Sequence, residues 1–523
     1  MTATRTLVRA GVIVSAFFLV SRVLGFVRAV VVLNAFGAGP ELDAFFAAFR
    51  LPDLIFQLVA AGALSSALIP VVSGLLGTGE EHRAWRVVST VTNLMLGALL
   101  VLAATLFVLA PVIIPIITPG FDAAGWARTI DLTRIMLLSP IFLALGSVAT
   151  SVLNARGRFA ASAIAPIVYN LAIIGGALVL GPSMGVTGLA VSVVAGSLGH
   201  LLVQLPNVWA VGYRHRATVD VSDPPTRRAI TLMGPRALGL GVSQITFVVL
   251  TSLATKEGPG AVTAFNTAFT LLQIPIGVIG VPLGIVVLPS LSREAALGRL
   301  AEFASLISKA IRLLSFVMLP ITGIAIVLRH EIVELLFGYG AFDATAIDLS
   351  AATFLAFLPG LLAHALIAVL ARAFYAQQDT RTPVAAAILA VVVNTTLGVA
   401  LVGPLGLPGL AAAIAIAAWL EAIVLFALLH RRVQELAAGP IISLGLRSLV
   451  VTVVASLAAA AVSGALAGVI GPDPSRVLLL VRMVAAGATW LVVGVGVAVA
   501  LRIGELRSIV GLMVDASRGP RRS

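Results

Sequence analysis

The sequence predicts an all-α polytopic membrane protein with fourteen transmembrane helices, arranged as two parallel six-helix repeats plus two extra C-terminal helices. Of its 523 residues, 60% are hydrophobic and only 11% are charged, whereas soluble domains average about 25% charged residues. Apolar runs long enough to cross a bilayer recur along the whole chain. A membrane β-barrel would instead show short segments of alternating hydrophobicity, so we predict helices.

Loop chemistry separates the apolar runs and sets the expected bounds of the helices. The breaks are rich in glycine, proline and charge, as in GTGEEHRAWR at 77–86 and GPLGLPG at 403–409. The first run lacks a small-residue cleavage site, and we interpret it as a retained span. The predicted spans are 10–36, 42–76, 87–112, 131–153, 161–181, 187–211, 231–255, 261–289, 304–328, 347–374, 384–402, 408–430, 442–470 and 477–502.

The distribution of positive charge predicts the orientation. Alternate connections and the C-terminal tail carry most of the arginines, whereas the other connections hold only Arg128, Lys256, Arg329 and Arg476. By the positive-inside rule the arginine-rich side faces the cytoplasm, and an even number of spans places both termini there. We therefore expect a multi-pass protein of the cytoplasmic membrane whose positive charge serves orientation, with no nucleic-acid partner.

An internal repeat predicts the domain organisation. AFFAAFR at 44–50 aligns with AFNTAFT at 264–270, and GPSMGVTGLA at 181–190 aligns with GPLGLPGLA at 403–411. Two halves of six spans each insert the same way up, and such repeats enclose a substrate site near the midplane. The predicted domains are a six-helix lobe at 1–212, a cytoplasmic linker at 213–230, a second six-helix lobe at 231–432, and two added helices with a cytoplasmic tail at 433–523.

Two arginines interrupt the first apolar run, in the stretch SRVLGFVR at 21–28. Arg22 and Arg28 would each cost about 2.5–3.5 kcal/mol at a helix centre, and intramembrane charges mark a transport pathway by default. A guanidinium stays charged when desolvated and binds phosphate through paired hydrogen bonds. The pair therefore predicts an anionic substrate. The alternative is that both reach the interface or form buried structural pairs.

The second run adds further polar groups. Asp43 is expected to orient or release one of these arginines, and Arg50 and Asp53 flank Pro52, where the helix loses a backbone hydrogen bond. A local ion pair in a kinked helix is the alternative. Gln273 precedes Pro275 in span eight and indicates a matching bend. The predicted substrate-binding residues are Arg22, Arg28, Asp43, Arg50, Asp53, Gln57 and Gln273.

Four other polar residues in the apolar runs are candidates for ion coupling. His200 and Glu421 occupy corresponding positions of the two repeats and could carry protons. Gln244 and Asn394 offer neutral oxygens that could hold Na⁺. Hydrogen bonding within the helix bundles is the alternative for all four. No bound cofactor is expected; Na⁺, H⁺ or the membrane potential would supply the driving force.

The sequence gives no sign of enzyme chemistry. Cysteine is absent, which excludes disulfides and thiolate metal sites. The motifs GxxxxGK[ST], HExxH and GxSxG are also absent, and the EEH stretch at 80–82 is a solvated loop and not a metal site.

Several stretches together resemble the MurJ (MviN) family. They are SRVLGFVR, FGAGPELDAFFAAFRLPD and GALSSALIPV near the start, then MGPRALGLGVSQ, IPIGVIGVPLGIVVLPSLS, LFGYGAFD and FYAQQDTRTPV. This resemblance implies the fourteen-span fold of the multidrug/oligosaccharidyl-lipid/polysaccharide (MOP) exporter superfamily. It also implies a flippase that moves lipid II, the undecaprenyl-diphosphate-linked peptidoglycan precursor, to the outer leaflet.

The resemblance also implies roles for particular residues. Arg22, Arg28 and Asp43 match charged cavity residues of the family, and Arg50 matches a commonly basic position. The last two spans match a groove proposed to hold the lipid tail. The chain departs from the family pattern where charged residues are expected, at Ala29, Phe56, Gln57, Ala61 and Thr270.

The departures leave other functions open. The chain could move another polyprenyl-linked glycan. It could also be a multidrug or cation antiporter of the same superfamily, although cationic substrates favour acidic cavities, or a scaffold of the cell-wall machinery without transport. We expect a monomer in the bilayer that binds a lipid-linked anionic glycan, with the cell-wall synthesis machinery as a possible partner.

Overall fold

The structure is a computed structural model that describes residues 2–59, 63–471 and 475–506. Within these ranges every regular element is a helix, as expected where the backbone must satisfy its own hydrogen bonds in lipid. The chain divides into two compact units. Unit 1 comprises Met1–Thr263 with Tyr339–Ala346, and unit 2 comprises Ala264–Gly338 with Ile347–Ser523.

Eleven helices are described up to residue 254, all in unit 1. They are α1 (Thr2–Phe36), α2 (Pro40–Val59), α3 (Ala63–Gly77), α4 (Glu81–Ile117), α5 (Ala123–Met136), α6 (Ser139–Ala155), α7 (Phe159–Val179), α8 (Gly181–Met184), α9 (Val186–Leu202), α10 (Leu205–Ala210) and α11 (Pro224–Ala254).

Ten more α-helices follow in the described part of the chain. They are α12 (Ala261–Pro275), α13 (Val281–Ala296), α14 (Leu300–Val327), α15 (Arg329–Phe337), α16 (Ala344–Phe357), α17 (Leu361–Ala376), α18 (Arg381–Leu405), α19 (Leu407–Arg432), α20 (Ala438–Ile470) and α21 (Arg476–Ala500). A π-helical turn, Ile276–Gly280, separates α12 from α13.

The predicted all-helical membrane fold is confirmed. Among the described residues, twelve helical stretches are long and apolar enough to cross a membrane. The predicted span 42–76 corresponds to α2 and α3, and the predicted span 231–255 overlaps α11 up to its last residue, Ala254. The count of fourteen spans stays a prediction, and Ala61 and the tail from residue 507 lie outside the described residues.

Each unit has its own apolar core. In unit 1, Leu68, Val72, Val87 and Val152 are fully buried in a cluster that joins α3, α4 and α6. Helix α11 packs on α2, α3 and α4. This grouping places α11 with the first half of the chain, whereas the repeat assigns it to the second. The repeat-based domain bounds remain a prediction.

In unit 2 the core cluster is built around Phe303, Ile307, Phe374 and Leu425, which come from α14, α17 and α19. The two added C-terminal helices α20 and α21 pack against each other, and α20 also packs on α14. The extra pair is therefore part of unit 2.

Candidate functional site

The site begins with the arginines of α1. The Arg22 side chain is exposed and Arg28 is half-buried. The guanidinium of Arg28 lies over the ring of Tyr169 on α7, with 5.9 Å between the guanidinium carbon and the ring centroid. Next to it, Asn170 donates from Nδ2 to the carbonyl of Ser21 at 3.4 Å. Helix α7 is thus fastened to α1 along the stretch that carries the arginines.

Tyr169 links this arginine to α2. Its hydroxyl lies within electrostatic range of both the Arg28 guanidinium and the Asp53 carboxylate. Opposite charges therefore flank one phenol side chain. The predicted substrate-binding residues Arg28 and Asp53 therefore both lie near Tyr169 in unit 1.

Helices α2 and α11 supply the rest of the site. Arg50 donates from Nε to the hydroxyl of Thr251 at 2.9 Å, and its guanidinium lies 5.4 Å from the centroid of the Phe247 ring. Arg50 also interacts electrostatically with Asp53 one turn further along α2. These contacts hold Arg50 in place.

Asp53 interacts with polar side chains of both α2 and α11. The side chains of Gln57 and Gln244 both lie within hydrogen-bonding range of its carboxylate. We call Arg28, Arg50, Asp53, Gln57, Tyr169 and Gln244 the polar cluster. Two guanidinium groups and one carboxylate leave it with one net positive charge, and neutral donors surround that charge. Such an arrangement suits an anionic group with several acceptor oxygens.

Asp43 has a different environment. Its carboxylate is buried, with 1% of the residue surface exposed. One oxygen accepts from the Gly260 N–H at 2.6 Å, and the other accepts from the N–H and hydroxyl of Thr263 at 2.7 and 2.6 Å. The carboxylate therefore caps the first turn of α12. Its predicted action on Arg22 or Arg28 remains a proposal, since both oxygens serve these donors here.

The remaining candidates lie apart from the polar cluster. His200 packs against Gly146 of α6, and its Nδ1 is buried without a hydrogen-bond partner. In unit 2, Asn394 is buried on α18, Glu421 is half-buried on α19, and Gln273 is exposed on α12. Among the described residues, no three His, Asp or Glu side chains are grouped as a metal would require.

Sequence reasoning missed Tyr169, Phe247 and Thr251. Tyr169 could have been singled out, because the chain has only four tyrosines and this one falls in the middle of a predicted span. Threonine and phenylalanine are ordinary in membrane helices. Nothing in the sequence distinguished Thr251 or Phe247 from their neighbours.

A family model described as "Lipid II flippase MurJ" matches residues 32–472. The chain belongs to the MurJ family. The resemblance predicted from the sequence motifs is therefore confirmed. A curated relative from Burkholderia cenocepacia, "Lipid II flippase MurJ", is 31% identical over 434 residues, covering 82% of this chain and 84% of that protein. A "Probable lipid II flippase MurJ" from Rhizobium tropici is 33% identical over 442 residues, covering 82% and 81%.

Solved structures agree on the fold. "Lipid II flippase MurJ, inward closed conformation" superposes with a TM-score of 0.77 at 22% identity, covering 94% of this chain and 99% of that one. A multidrug resistance MATE family transporter of the MOP superfamily gives 0.64 at 16% identity, covering 79% and 95%. The chain thus has the fold shared by MurJ and MATE transporters.

The positions where the chain departs from the MurJ pattern have ordinary environments. Phe56 packs against the core of unit 1, and Gln57 contacts Asp53 as part of the polar cluster. The Thr270 hydroxyl donates to the Asn266 carbonyl of its own helix at 2.8 Å. Ala29 is half-buried on α1.

Proposed function

We propose that this protein moves lipid II, the undecaprenyl-diphosphate-linked peptidoglycan precursor, from the inner to the outer leaflet of the cytoplasmic membrane. Membership of the MurJ family and relatives named as lipid II flippases support this assignment. The observation that carries it is the polar cluster of unit 1. A net positive charge within apolar helices is costly, and such charges mark substrate pathways by default.

The residues of the polar cluster have distinct tasks in this proposal. Arg28 and Arg50 bind the diphosphate, because guanidinium groups remain charged at low dielectric and match phosphate geometry. Asp53 and Thr251 hold Arg50 in position. Arg22 lies on α1 within two turns of Arg28 and adds a further positive charge to the path.

The lipid tail does not need to enter the polar cluster. It stays in the bilayer or along α20 and α21, whose exposed leucines and valines include Leu446, Leu457, Val484 and Val492. Only the diphosphate and the sugars then cross the hydrocarbon depth within the protein. Access to the polar cluster alternates between the two leaflets during transport.

The driving force in this proposal is the membrane potential or a coupled cation. A net charge that moves across the membrane gains or loses about 2.3 kcal/mol per 100 mV. His200, Gln244, Asn394 and Glu421 are the candidate coupling residues for Na⁺ or H⁺. The protein acts as a monomer with both termini in the cytoplasm, and the cell-wall synthesis machinery is its proposed partner.

Depletion of the protein in cells tests the assignment. We expect lipid II to accumulate in the inner leaflet and to become inaccessible to an externally added probe. Re-expression of the wild-type chain should restore accessibility, whereas the Arg28→Ala, Arg50→Gln double variant should not. Unchanged outer-leaflet lipid II after depletion, in a strain without a second flippase, contradicts the proposal.

A flippase for another polyprenyl-linked glycan is the second candidate. It is favoured by Gln57 and Thr270, which stand where the family carries arginines. Mass spectrometry of lipids that co-purify with the protein separates the two, because the glycans differ in mass. A cation antiporter is not favoured, since the polar cluster carries net positive charge.

A further inference from the structure

A pocket remote from the polar cluster lies beside the first turn of α4. It has a volume of about 490 Å³ and is lined by Gly79, Glu81, His82, Trp85, Gly212, Arg214 and Arg216. That volume falls within the range of about 300–1,000 Å³ that is typical of ligand sites. All of its lining residues belong to unit 1.

The connection between α10 and α11 forms one wall of this pocket and is fastened to α4. Asn93 donates from Nδ2 to the carbonyls of Arg216 and Thr218, both at 2.9 Å. The N–H of Arg216 donates to the Ser89 hydroxyl, and the N–H of Asp220 donates to the Thr90 hydroxyl, each at 3.2 Å. We call residues 213–223 the strap; these bonds hold it against α4, and residues 224–230 of the predicted linker form the start of α11.

The two arginines on the strap are held in place. Arg214 donates from Nη1 to the carbonyls of Trp209 and Tyr213 at 2.8 and 3.1 Å. Arg216 lies with Nη2 at 3.2 Å from Nε2 of His82. Neither contact removes the charge. Both guanidinium groups thus keep their charge and further N–H donors for a ligand.

Neighbouring arginines, unlike these two, pair with carboxylates. Arg83 pairs with Asp223 and Glu80, and Arg86 lies 4.0 Å from Asp220. The only carboxylate lining the pocket, Glu81, pairs with Arg156 and accepts from Nε1 of Trp85. In the described part of the chain, no carboxylate pairs with Arg214 or Arg216. The pocket is therefore lined by two arginines without a carboxylate partner among the described residues and by one carboxylate that already pairs with an arginine outside the lining.

The apolar surroundings indicate where the ligand comes from. Trp209, whose carbonyl holds Arg214, exposes 54% of its surface, and Leu202 nearby in sequence exposes 51%. Exposed tryptophan at the end of a membrane helix marks the headgroup level of a bilayer. Basic pockets at that level on the cytoplasmic side are suited to lipid phosphates.

We propose that this pocket binds the phosphate of an anionic phospholipid headgroup, with Arg214 and Arg216 as its ligands. The acyl chains run along the apolar surface beside Trp209. This site is separate from the polar cluster and does not depend on which glycolipid the protein transports. It would anchor the strap to one leaflet.

Native mass spectrometry of the purified full-length protein with phosphatidylglycerol tests the proposal. We expect Arg214→Gln, Arg216→Gln to weaken binding of one lipid by about 30-fold, since each basic residue near an anionic lipid contributes about fivefold. The matched control, Arg158→Gln, Arg228→Gln, removes two exposed cytoplasmic-side arginines outside the pocket and should bind as the wild type does. An equal loss of phosphatidylglycerol binding in both double variants contradicts the proposed site.

Two further arms separate the possible sources of the phosphate. Trp209→Ala keeps the backbone carbonyl that holds Arg214 and removes apolar surface beside it, so it should weaken phosphatidylglycerol binding. Excess inorganic phosphate or glycerol phosphate should not displace the lipid. Displacement by either soluble compound, or equal retention of phosphatidylcholine and phosphatidylglycerol, contradicts the lipid assignment. No lipid II is present, so a failure here is distinct from a failure of the proposed flippase activity.

Discussion

Arg50 of α2 donates from Nε to the hydroxyl of Thr251 on α11, across 2.9 Å and 201 residues of sequence. The same guanidinium lies over Phe247, one turn earlier on α11. Helix α11 therefore positions a charged residue that α2 alone could orient in several ways. The polar cluster depends on two helices that are distant in sequence.

Replacement of Arg50 tests this positioning. Arg50→Lys keeps the charge but cannot both donate to Thr251 and lie flat over Phe247, so we expect lipid II transport to fall about tenfold or more. Thr251→Val should cost about 0.5–1.5 kcal/mol of stability through the lost hydrogen bond. Transport in reconstituted vesicles and thermal unfolding measure the two effects. Arg158→Lys, at an exposed site, is the control, and full activity of Arg50→Lys contradicts the assigned role.

Tyr169 offers a separate test of the Arg28 position. Tyr169→Phe retains the ring beneath the guanidinium and removes only the hydroxyl near Asp53, whereas Tyr169→Leu removes the ring. A cation–π contact contributes about 0.5–2 kcal/mol, so we expect Tyr169→Leu to weaken lipid II binding by about twofold to thirtyfold. The phenylalanine variant should be less affected. Equal binding by the leucine variant and the wild type would show that the ring does not position Arg28.

Two substitutions of Asp43 distinguish a structural role of its carboxylate from a role in transport. Asp43→Ala leaves the buried N–H groups of Gly260 and Thr263 without their acceptor, at a cost of about 1–3 kcal/mol each. Asp43→Asn keeps one acceptor oxygen and should lose less stability. Thermal unfolding and transport are measured on both variants. Loss of transport in a stable Asp43→Asn variant would show that the charge itself acts on the substrate.

The helices could be predicted from the sequence because apolar length and internal backbone hydrogen bonding determine them. The bend expected near Gln273 corresponds to the π-helical turn that begins at Ile276, directly after Pro275. By contrast, α2 continues past Pro52 to Val59. A proline predicts local strain in a helix, but the neighbouring helices decide whether the helix ends there.

The candidate site could be predicted only in part. Arg28, Arg50 and Asp53 were identifiable because a charge in an apolar run is costly and therefore informative. The partners of Asp43 could not be identified, since Gly260 and Thr263 lie 217 and 220 residues away. No local pattern encodes such a contact. The carboxylate of Asp43 therefore looked like a cavity charge, whereas its contacts are those of a helix cap.

An ion pair with a buried carboxylate joins α21 to α15 within unit 2. Arg482 of α21 lies 2.8 Å from Glu331 of α15, whose side chain is 6% exposed, and it donates from Nε to the hydroxyl of Ser463 at 2.9 Å. Glu331→Ala leaves the guanidinium without its carboxylate partner, and we expect a loss of about 3–5 kcal/mol in thermal unfolding. Glu334→Ala on the same helix removes a more exposed carboxylate and should cost less than about 1 kcal/mol. Similar losses in the two variants contradict the assigned importance of the pair.

The contacts of Asp379, which lies between α17 and α18, lead us to expect that the free energy of unfolding depends on pH. Its carboxylate accepts from the hydroxyl of Thr382 at 2.6 Å and from the backbone N–H of Thr382 at 3.0 Å, and it pairs with Arg432. These contacts, the Thr382 hydroxyl first, hold the pKa of Asp379 below its ordinary value of 3.8. The stabilisation is thus complete above pH 3.8 and is lost as the pH falls below that value. Thermal unfolding between about pH 6 and pH 2 should show a smaller acid-induced decrease for Asp379→Asn than for the wild type. Glu435→Gln, at an exposed carboxylate, should behave as the wild type does, and an unchanged acid profile in Asp379→Asn would show that Asp379 does not contribute to it.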